Sequence, residues 1–199
     1  MSKFLVIGGA GLIGSRVVEA LGADQCVRAS RNSGERVDIS DPKSLAALFD
    51  RVGQVDGIVC TGGAARFKPW DQARDDDWAF CLANKLMGQV NVVRYGAKYV
   101  RAGGAITLTT GVLAQHPMPG GAMITTVNAA VEAFVRAAVV EPIAVRVNAV
   151  SPSVRRLRTA TEAPASWRRA SRRSRPTSAS TPSSCAARRR RISSCRRSI

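Results

Sequence analysis

The feature that most constrains the fold is a glycine-rich segment that follows the first apolar run of the chain. The run from Phe4 to Ile7 is typical of a short β-strand, and apolar residues at helical spacing follow from Leu12 to Leu21. Gly8, Gly11 and Gly14 occupy the connection between them. Glycines there allow a tight turn, bare backbone amides at the positive end of the helix, and close helix packing. We therefore predict a strand-turn-helix unit that can hold a pyrophosphate, with a tight turn without ligand as the alternative.

Strand-like and helix-like segments alternate along the first 154 residues, which is typical of an α/β domain with a mostly parallel sheet. Strands are predicted over residues 4–7, 26–30, 57–60, 105–110 and 144–150, and helices over 12–21, 44–49, 75–99 and 122–140. Asp41 and Pro42 precede the second helix as a capping residue and a first-turn residue. The predicted fold is a doubly wound parallel sheet of the Rossmann type.

The third strand of such a sheet has little chain available to it. Only five residues separate Ser30, at the end of the second strand, from Arg36, whereas a crossover connection needs about a dozen or more. We therefore expect a third strand that is short or displaced.

The positive charge of the chain is concentrated near its C-terminus. The whole chain has 30 Lys and Arg against 14 Asp and Glu, a net charge of +16, and residues 155–199 account for +13 of it. This segment consists almost entirely of Arg, Ser, Ala, Thr and Pro, with 14 arginines and the single acid Glu162. A segment so poor in apolar residues cannot offset the entropy of ordering it. We predict a Rossmann domain over residues 1–154 and a disordered tail over residues 155–199.

Three hypotheses account for the arginines of this tail. They could neutralise phosphates as a nucleic-acid arm, or belong to an ordinary solvated tail. The hypothesis that we favour is a frame shift, because Arg, Ala, Pro, Ser and Thr are what GC-rich DNA encodes out of frame, and the composition changes abruptly after Ser153. The chain would then lack the last helix and strand of its sheet, and we do not expect nucleic acid as a partner.

Limited proteolysis tests the boundary between domain and tail. We expect trypsin to remove the tail and to leave a resistant core that ends near residue 154. Resistance of the tail arginines to trypsin would instead indicate that this segment is folded.

Other classes of protein are disfavoured by the sequence. The start Met-Ser-Lys leaves no room for the charged and apolar regions of a signal peptide, and no run of about 18 apolar residues suggests a membrane span. The five cysteines contain no CxxC pair, which argues against a disulfide framework and a zinc site. We expect reduced thiols, no metal, no membrane partner and a cytoplasmic location.

The end of the second predicted strand indicates which dinucleotide the glycine turn would hold. A cofactor with a free ribose 2′-hydroxyl would require a carboxylate there, but the nearest acid is Glu35, and Arg31 stands in the expected place. A guanidinium suits a 2′-phosphate, so we predict NADP, with a solvated loop arginine as the alternative. Asp38 is placed to meet the adenine amino group, whereas Asp41 can equally serve only as a helix cap.

Together these motifs resemble the short-chain dehydrogenase/reductase family over residues 3 to 154. Val37-Asp38-Ile39 resembles the segment of its adenine-contacting Asp, and Cys60-Thr61-Gly62-Gly63 stands where its Asn-Asn-Ala-Gly lies. Asn84 falls at its helix asparagine, and residues 144–152 resemble the strand and turn that meet the nicotinamide. The resemblance implies an NADP(H)-dependent oxidoreductase of a small carbonyl or alcohol. It implies cofactor contacts from Gly8, Gly11, Leu12, Ile13, Gly14, Ser30, Arg31, Asp38, Ile39, Thr61, Gly62, Asn128 and Pro152.

The chain departs from this family at the catalytic pair. The register of the family's Tyr-x-x-x-Lys, just before Ala129-Ala130, gives Ile124 and Asn128. The serine that would polarise the carbonyl appears as Thr110. The candidate catalytic residues are Thr110, Asn84, Lys85 and His116. For Lys85 the alternative is a surface lysine whose amine reaches solvent, and for His116 it is a loop histidine without a role.

These departures leave three functional hypotheses. The first is an oxidoreductase of an unidentified small molecule that binds NADP but turns over slowly. The second is a dinucleotide-binding module without turnover, and the third is nucleic-acid binding through the tail. A homodimer through the two long helices is the expected assembly.

Overall fold

The structure, a computed structural model, describes residues 2–32 and 34–153. Its strands are β1 Phe4–Ile7, β2 Cys26–Ser30, β3 Glu35–Arg36, β4 Val55–Cys60, β5 Val100–Thr109 and β6 Arg146–Val150. Its helices are α1 Leu12–Leu21, α2 Pro42–Val52, α3 Asp75–Cys81, α4 Gly88–Gly96 and α5 Ala122–Ala138, with a π-helical turn at Leu82–Met87 between α3 and α4. Short 3₁₀ turns lie at Ala23–Gln25, Trp70–Gln72, Ala97–Tyr99 and Val112–Ala114. The predicted tail over residues 155–199, and the frame-shift hypothesis attached to it, lie outside the described residues.

All six strands pair in parallel, in the order β3-β2-β1-β4-β5-β6. Ile7 at the end of β1 pairs with Ala29 on one side and with Cys60 on the other. The strand order reverses between β1 and β4, which is where ligands bind in open α/β sheets. This architecture confirms the predicted doubly wound Rossmann-type sheet.

The third strand is as short as the sequence predicted. Glu35 pairs with Ala29 and Arg36 with Ser30, and no helix intervenes between β2 and β3. The turn needs a glycine at position 34, because its φ is +65° and an added Cβ would lie 2.3 Å from the backbone oxygen of Arg28. The connection from β2 to β3 is therefore tight, and a residue with a side chain does not fit at position 34.

Three predicted elements are wrong in detail. The predicted helix over residues 75–99 is not one regular helix, since a π-helical turn interrupts it and a 3₁₀ turn ends it. The predicted strand over 105–110 begins five residues earlier, at Val100, because residues 100–104 follow β4 through a register shift between Val55 and Gly57. The last strand starts at Arg146 instead of residue 144. Smaller differences at the ends of α2, β4 and α5 reflect ordinary uncertainty of helix and strand ends.

The main core lies between the sheet and helices α2, α4 and α5. Asp41 caps α2 by accepting from the backbone amide of Lys43, as predicted. Leu45 and Phe49 of this helix are buried, and the ring of Phe49 stacks on Tyr99 with centroids 5.6 Å apart. Among the helices formed by the described residues, none is long and apolar enough to cross a membrane.

Candidate functional site

The glycine turn is held by hydrogen bonds to both strands that flank β1. The amide of Gly8 donates to Ala29 in β2 over 2.8 Å, and the hydroxyl of Thr61, just after β4, lies 3.2 Å from the backbone oxygens of Ile7 and Gly8. Gly8 has φ +84°, and a Cβ on it would lie 2.6 Å from the Thr61 hydroxyl. The turn is therefore fixed before any ligand binds.

The N-terminus of α1 is open towards this turn. Gly11 precedes the helix and has no side chain to cap it, and the first turn contains no acidic residue. The amides of Leu12 and Ile13 thus have no side-chain acceptor from the N-cap, and the helix dipole adds positive potential there. Gly14 is buried, and its position is so close to the turn that a Cβ would lie 2.1 Å from the backbone oxygen of Gly8. Bare amides at this helix end suit a pyrophosphate group.

A cleft of about 390 Å³ opens above the turn, along the carboxyl ends of β1, β2 and β4. The residues assigned to a site from the sequence that line it are Gly8, Gly11, Ser30, Arg31, Asp38, Ile39, Thr61, Gly62 and Asn84. Those that sequence reasoning missed are Ile7, Ala10, Asn32, Val37, Gly63 and Ala64. Five of these six missed residues directly adjoin an assigned one, and Ala64 follows two positions after Gly62, so position beside a strand end was the available signal.

Arg31 and Asp38 lie on the β2 side of the cleft. Asp38 accepts hydrogen bonds from the Ser40 hydroxyl at 2.6 Å and the Ser40 amide at 2.9 Å. The Ser40 hydroxyl, its amide and the charge of Arg31 hold the pKa of the Asp38 carboxyl below its usual range. Asp38 is therefore an ionised acceptor, and exposed Arg31 is a cation at the same rim.

The carboxyl end of β5 is held by two buried side chains from the long helical segment. Gln89 donates to the backbone oxygen of Thr109 over 2.8 Å and accepts from its amide over 3.0 Å. Lys85, in the π turn, donates from Nζ to the same oxygen over 2.6 Å. The alternative of a surface lysine is wrong, because the π turn directs Lys85 inward and leaves it 7% exposed. Asn84, in the same turn, donates to the backbone oxygen of Phe80.

Three of the four candidate catalytic residues, Lys85, Thr110 and His116, lie outside the cleft lining. The Thr110 hydroxyl donates to Glu132 of α5 over 3.0 Å and lies 3.3 Å from the backbone oxygen of Val150. His116 is exposed in the loop after the Val112–Ala114 turn. Their catalytic roles stay predictions.

The positions of the missing catalytic pair both lie on α5. Asn128 is 1% exposed, and its Oδ1 has no hydrogen-bond partner among the described residues. Ile124, one turn earlier, is partly buried. Pro152, predicted to contact the cofactor, accepts from the Val112 amide over 3.3 Å. The predicted cofactor contacts that lie outside the cleft lining, and that therefore stay predictions, are Leu12, Ile13, Gly14, Asn128 and Pro152.

The long loop after β4 is anchored by one buried carboxylate. Asp77 of α3 accepts from Arg66 through Oδ1 and from Lys68 through Oδ2, the latter over 2.8 Å. Its Oδ2 also accepts from the backbone amide of Arg74 over 3.1 Å. Hydrogen bonds from Lys68, Arg66 and Arg74 hold the pKa of Asp77 well below its usual range.

This anchor should make stability depend on pH. Because the pKa of Asp77 is lower in the folded state, its carboxylate stabilises the fold above an unfolded-state pKa of about 3.9 and loses that effect in acid. We expect Asp77→Asn to lower the urea midpoint of unfolding at pH 6. The difference in midpoint between this variant and the unmutated chain should become smaller towards pH 3. Exposed Asp76, in the same helical turn, provides the control Asp76→Asn. A gap that is the same at pH 6 and pH 3 would contradict this prediction.

Similar proteins were found by family model, by sequence and by structure. The family model described as enoyl-(acyl carrier protein) reductase matches residues 6–187. The cis-4-hydroxycyclohexanecarboxylate dehydrogenase of Sinomonas cyclohexanicum is 29% identical over 165 residues, which cover 76% of this chain and 66% of that protein. The hydroxynaphthalene reductase arp2 of Aspergillus fumigatus is 26% identical over 105 residues, which cover 51% and 38%. The chain thus spans less than two thirds of the length of these curated relatives.

Two solved structures also resemble this chain. The protein lin1944 from Listeria innocua superimposes with a TM-score of 0.73 at 37% identity, over 77% of this chain and 78% of that one. A small-chain dehydrogenase in complex with NADPH gives a TM-score of 0.71 at 31% identity, over 76% and 69%. Sequence motifs, sheet order and these similarities all lead to one conclusion. The chain belongs to the short-chain dehydrogenase/reductase family.

Proposed function

We propose that the chain binds NADP(H) in the cleft above the glycine turn and acts as an oxidoreductase of a small carbonyl or alcohol. The observation that carries this proposal is the joint position of an uncapped helix N-terminus and Arg31 around one cleft of about 390 Å³. The neighbour solved with NADPH supports the choice of cofactor. The substrate itself is not assigned.

The residues present fit the parts of such a cofactor. The amides of Leu12 and Ile13 would bind the pyrophosphate, and the guanidinium of Arg31 would bind a ribose 2′-phosphate. The Asp38 carboxylate would accept from the adenine amino group. Thr61 and Gly62, which follow β4, also line the cleft. When bound, the reduced cofactor supplies the hydride, and the protein orients the reactants and handles the proton.

Cofactor choice is the first test of this proposal. Arg31 should contribute charged hydrogen bonds to the 2′-phosphate worth roughly 1.5–3 kcal/mol, about ten- to a hundredfold in affinity. We expect tighter binding of NADPH than of NADH in fluorescence titrations, and Arg31→Ala should remove most of the difference. Arg94→Ala, an exposed arginine on α4, is the control and should leave both affinities unchanged. Equal affinities of the unmutated chain for the two cofactors would exclude the role of Arg31.

The second candidate function is a dinucleotide-binding module without turnover. Ile124 and Asn128 at the positions of the family's Tyr and Lys favour it, since the chain lacks the usual acid and the usual clamp on the cofactor. Oxidation of NADPH with a panel of small ketones and aldehydes separates the two candidates. We propose slow reduction, because the acid is not the family's tyrosine.

The remaining expectations concern assembly and location. A homodimer through the two long helices that were predicted over residues 75–99 and 122–140 stays a prediction, which sedimentation of the purified chain would test. The cytoplasmic location also stays a prediction.

A further inference from the structure

Lys85 reaches the interior because the π turn Leu82–Met87 carries it. Its amine lies at the carboxyl end of β5, 2.6 Å from the backbone oxygen of Thr109. Its stem packs against Gly63 of the cleft, where an added Cβ would lie 2.9 Å from Lys85 Cδ. Single π turns within helices are frequent at functional sites. The amine thus lies at the carboxyl end of β5, and its stem lies beside a residue that lines the proposed cofactor cleft.

The backbone groups at the carboxyl end of β5 are hydrogen-bonded without the Lys85 amine. The side-chain amide of Gln89 already pairs with both the backbone oxygen and the backbone amide of Thr109. An ammonium group has three N–H donors, and the described residues accept only one from Lys85. Two donors therefore remain for a ligand.

The part of the chain that the structure describes also does not neutralise the charge of Lys85. None of the ion pairs between described residues includes it. Among the described residues, the titratable group whose charge acts on Lys85 is Cys60 on β4. Burial raises the pKa of the Cys60 thiol to about 11, so this thiol is neutral near pH 7, and Glu132 is occupied by Thr110 and Gln115. Burial lowers the pKa of Lys85 below its usual value, which makes its ammonium a stronger acid.

Asn128 provides an acceptor beside the same strand end. It lies on α5, which packs against the π turn, and its Oδ1 is buried without a partner among the described residues. Its Nδ2 would lie 2.9 Å from a Cβ placed on Gly111, two residues beyond the end of β5. A buried carbonyl oxygen without a hydrogen bond is unfavourable, so a ligand hydroxyl at this place would be stabilising.

We propose that Lys85 is the proton donor of the reaction, with its ammonium hydrogen-bonded to the carbonyl oxygen of the substrate and Asn128 Oδ1 accepting from the alcohol hydroxyl that forms. This inference rests on the proposed function and narrows its substrate class to ketones and aldehydes that give neutral alcohols. It also places the acid on the π turn before α4 instead of on α5.

The proton and the electrons balance in this step. Hydride adds to the carbonyl carbon, and the electron pair of the C=O π bond moves to the oxygen. That oxygen takes a proton from Lys85 Nζ, so a C–H and an O–H bond form in the product, while one N–H bond of Lys85 and one C–H bond of the reduced cofactor that supplies the hydride would break. The neutral amine that remains regains a proton from water.

The charge of the nicotinamide ring provides a test that needs no turnover. Hydride transfer requires the carbonyl to lie about 3–3.5 Å from that ring, so a donor bonded to the carbonyl oxygen also lies close to it. The ring is positive in NADP⁺ and neutral in NADPH, whereas the phosphates are the same. NADP⁺ should therefore lower the pKa of Lys85 by about 0.5 or more relative to NADPH. By linkage, Lys85→Met should raise the affinity for NADP⁺ relative to NADPH at least about threefold.

The experiment uses the full chain labelled with ¹⁵N-lysine. The chain has five lysines, and single Lys→Arg replacements assign their Nζ signals, which are then titrated with each cofactor bound. Exposed Lys43 on α2 is the control. Its pKa should be the same in both complexes, and Lys43→Met should leave the ratio of the NADP⁺ and NADPH affinities unchanged. Equal pKa values of Lys85 in the two complexes would overturn the proposal, whatever the variants do. If neither cofactor binds, the proposed function fails, and this inference fails with it.

Discussion

Replacing Gly14 by alanine is expected to destabilise the fold by about 3 kcal/mol, a large share of the stability of a small domain. A Cβ at this position would lie 2.1 Å from the Gly8 oxygen, 2.7 Å from the Gly8 carbon and 2.8 Å from Gly9 Cα. All three are backbone atoms, so no side chain can rotate away, and α1 must shift as a body. Urea unfolding measures the loss. Because the amides at the start of α1 shift with the helix, cofactor affinity should also fall more than about tenfold.

Gly11→Ala is the matched control in the same turn. Gly11 has an ordinary φ of −80°, and the atom nearest to an added Cβ is the Gly8 oxygen at 3.2 Å. We expect a loss of less than about 1 kcal/mol, which a small displacement can accommodate. Equal stability of the two variants would show that the close approach of α1 to the turn does not limit the fold.

Lys85→Met should have the largest kinetic effect. If the ammonium donates the proton, its removal should slow single-turnover reduction of a reactive ketone by about 10²- to 10⁴-fold, while NADPH affinity changes less than about threefold. Stopped-flow absorbance of NADPH measures the rate.

The pH profile separates a donor from a structural lysine. An acid must be protonated to act, so the rate of the unmutated chain should be constant at low pH and fall above the lowered pKa of Lys85. Lys85→Arg keeps the charge but does not deprotonate, so it should react slowly without that fall. Lys43→Met should retain both the rate and the profile. An unchanged profile in Lys85→Met would exclude the lysine as the acid.

Local sequence signals were sufficient for the first half of the sheet. The predicted bounds of β1, α1 and β2 match the structure, because a compact apolar run, an amphipathic segment and three glycines each act within a few neighbouring residues. One part of the cleft rim was predictable for the same reason, since Arg31 directly follows β2, whereas Asp38 was assigned from its resemblance to the adenine-contacting segment of the family.

The interior of the site could not be predicted in this way. Helical periodicity assumes 3.6 residues per turn. The π turn departs from this spacing, so the direction in which Lys85 and Gln89 face differs from that expected for a regular α-helix. Their common partner, Thr109, lies 20 or more residues away in sequence. The ion pairs of Asp77 with Arg66 and Lys68 likewise depend on how the loop after β4 folds back, which no local pattern encodes.

The short return from β2 to β3 bears on how coenzyme preference can be engineered. Ser30 accepts from the Val37 amide over 3.0 Å, and Gly34 is confined against Arg28, so both ends of the connection are fixed. The backbone at Arg31 therefore has little freedom to move. If the chain binds a dinucleotide as proposed, we expect single substitutions at positions 31 and 32 to change its coenzyme preference without a change in the length of this connection.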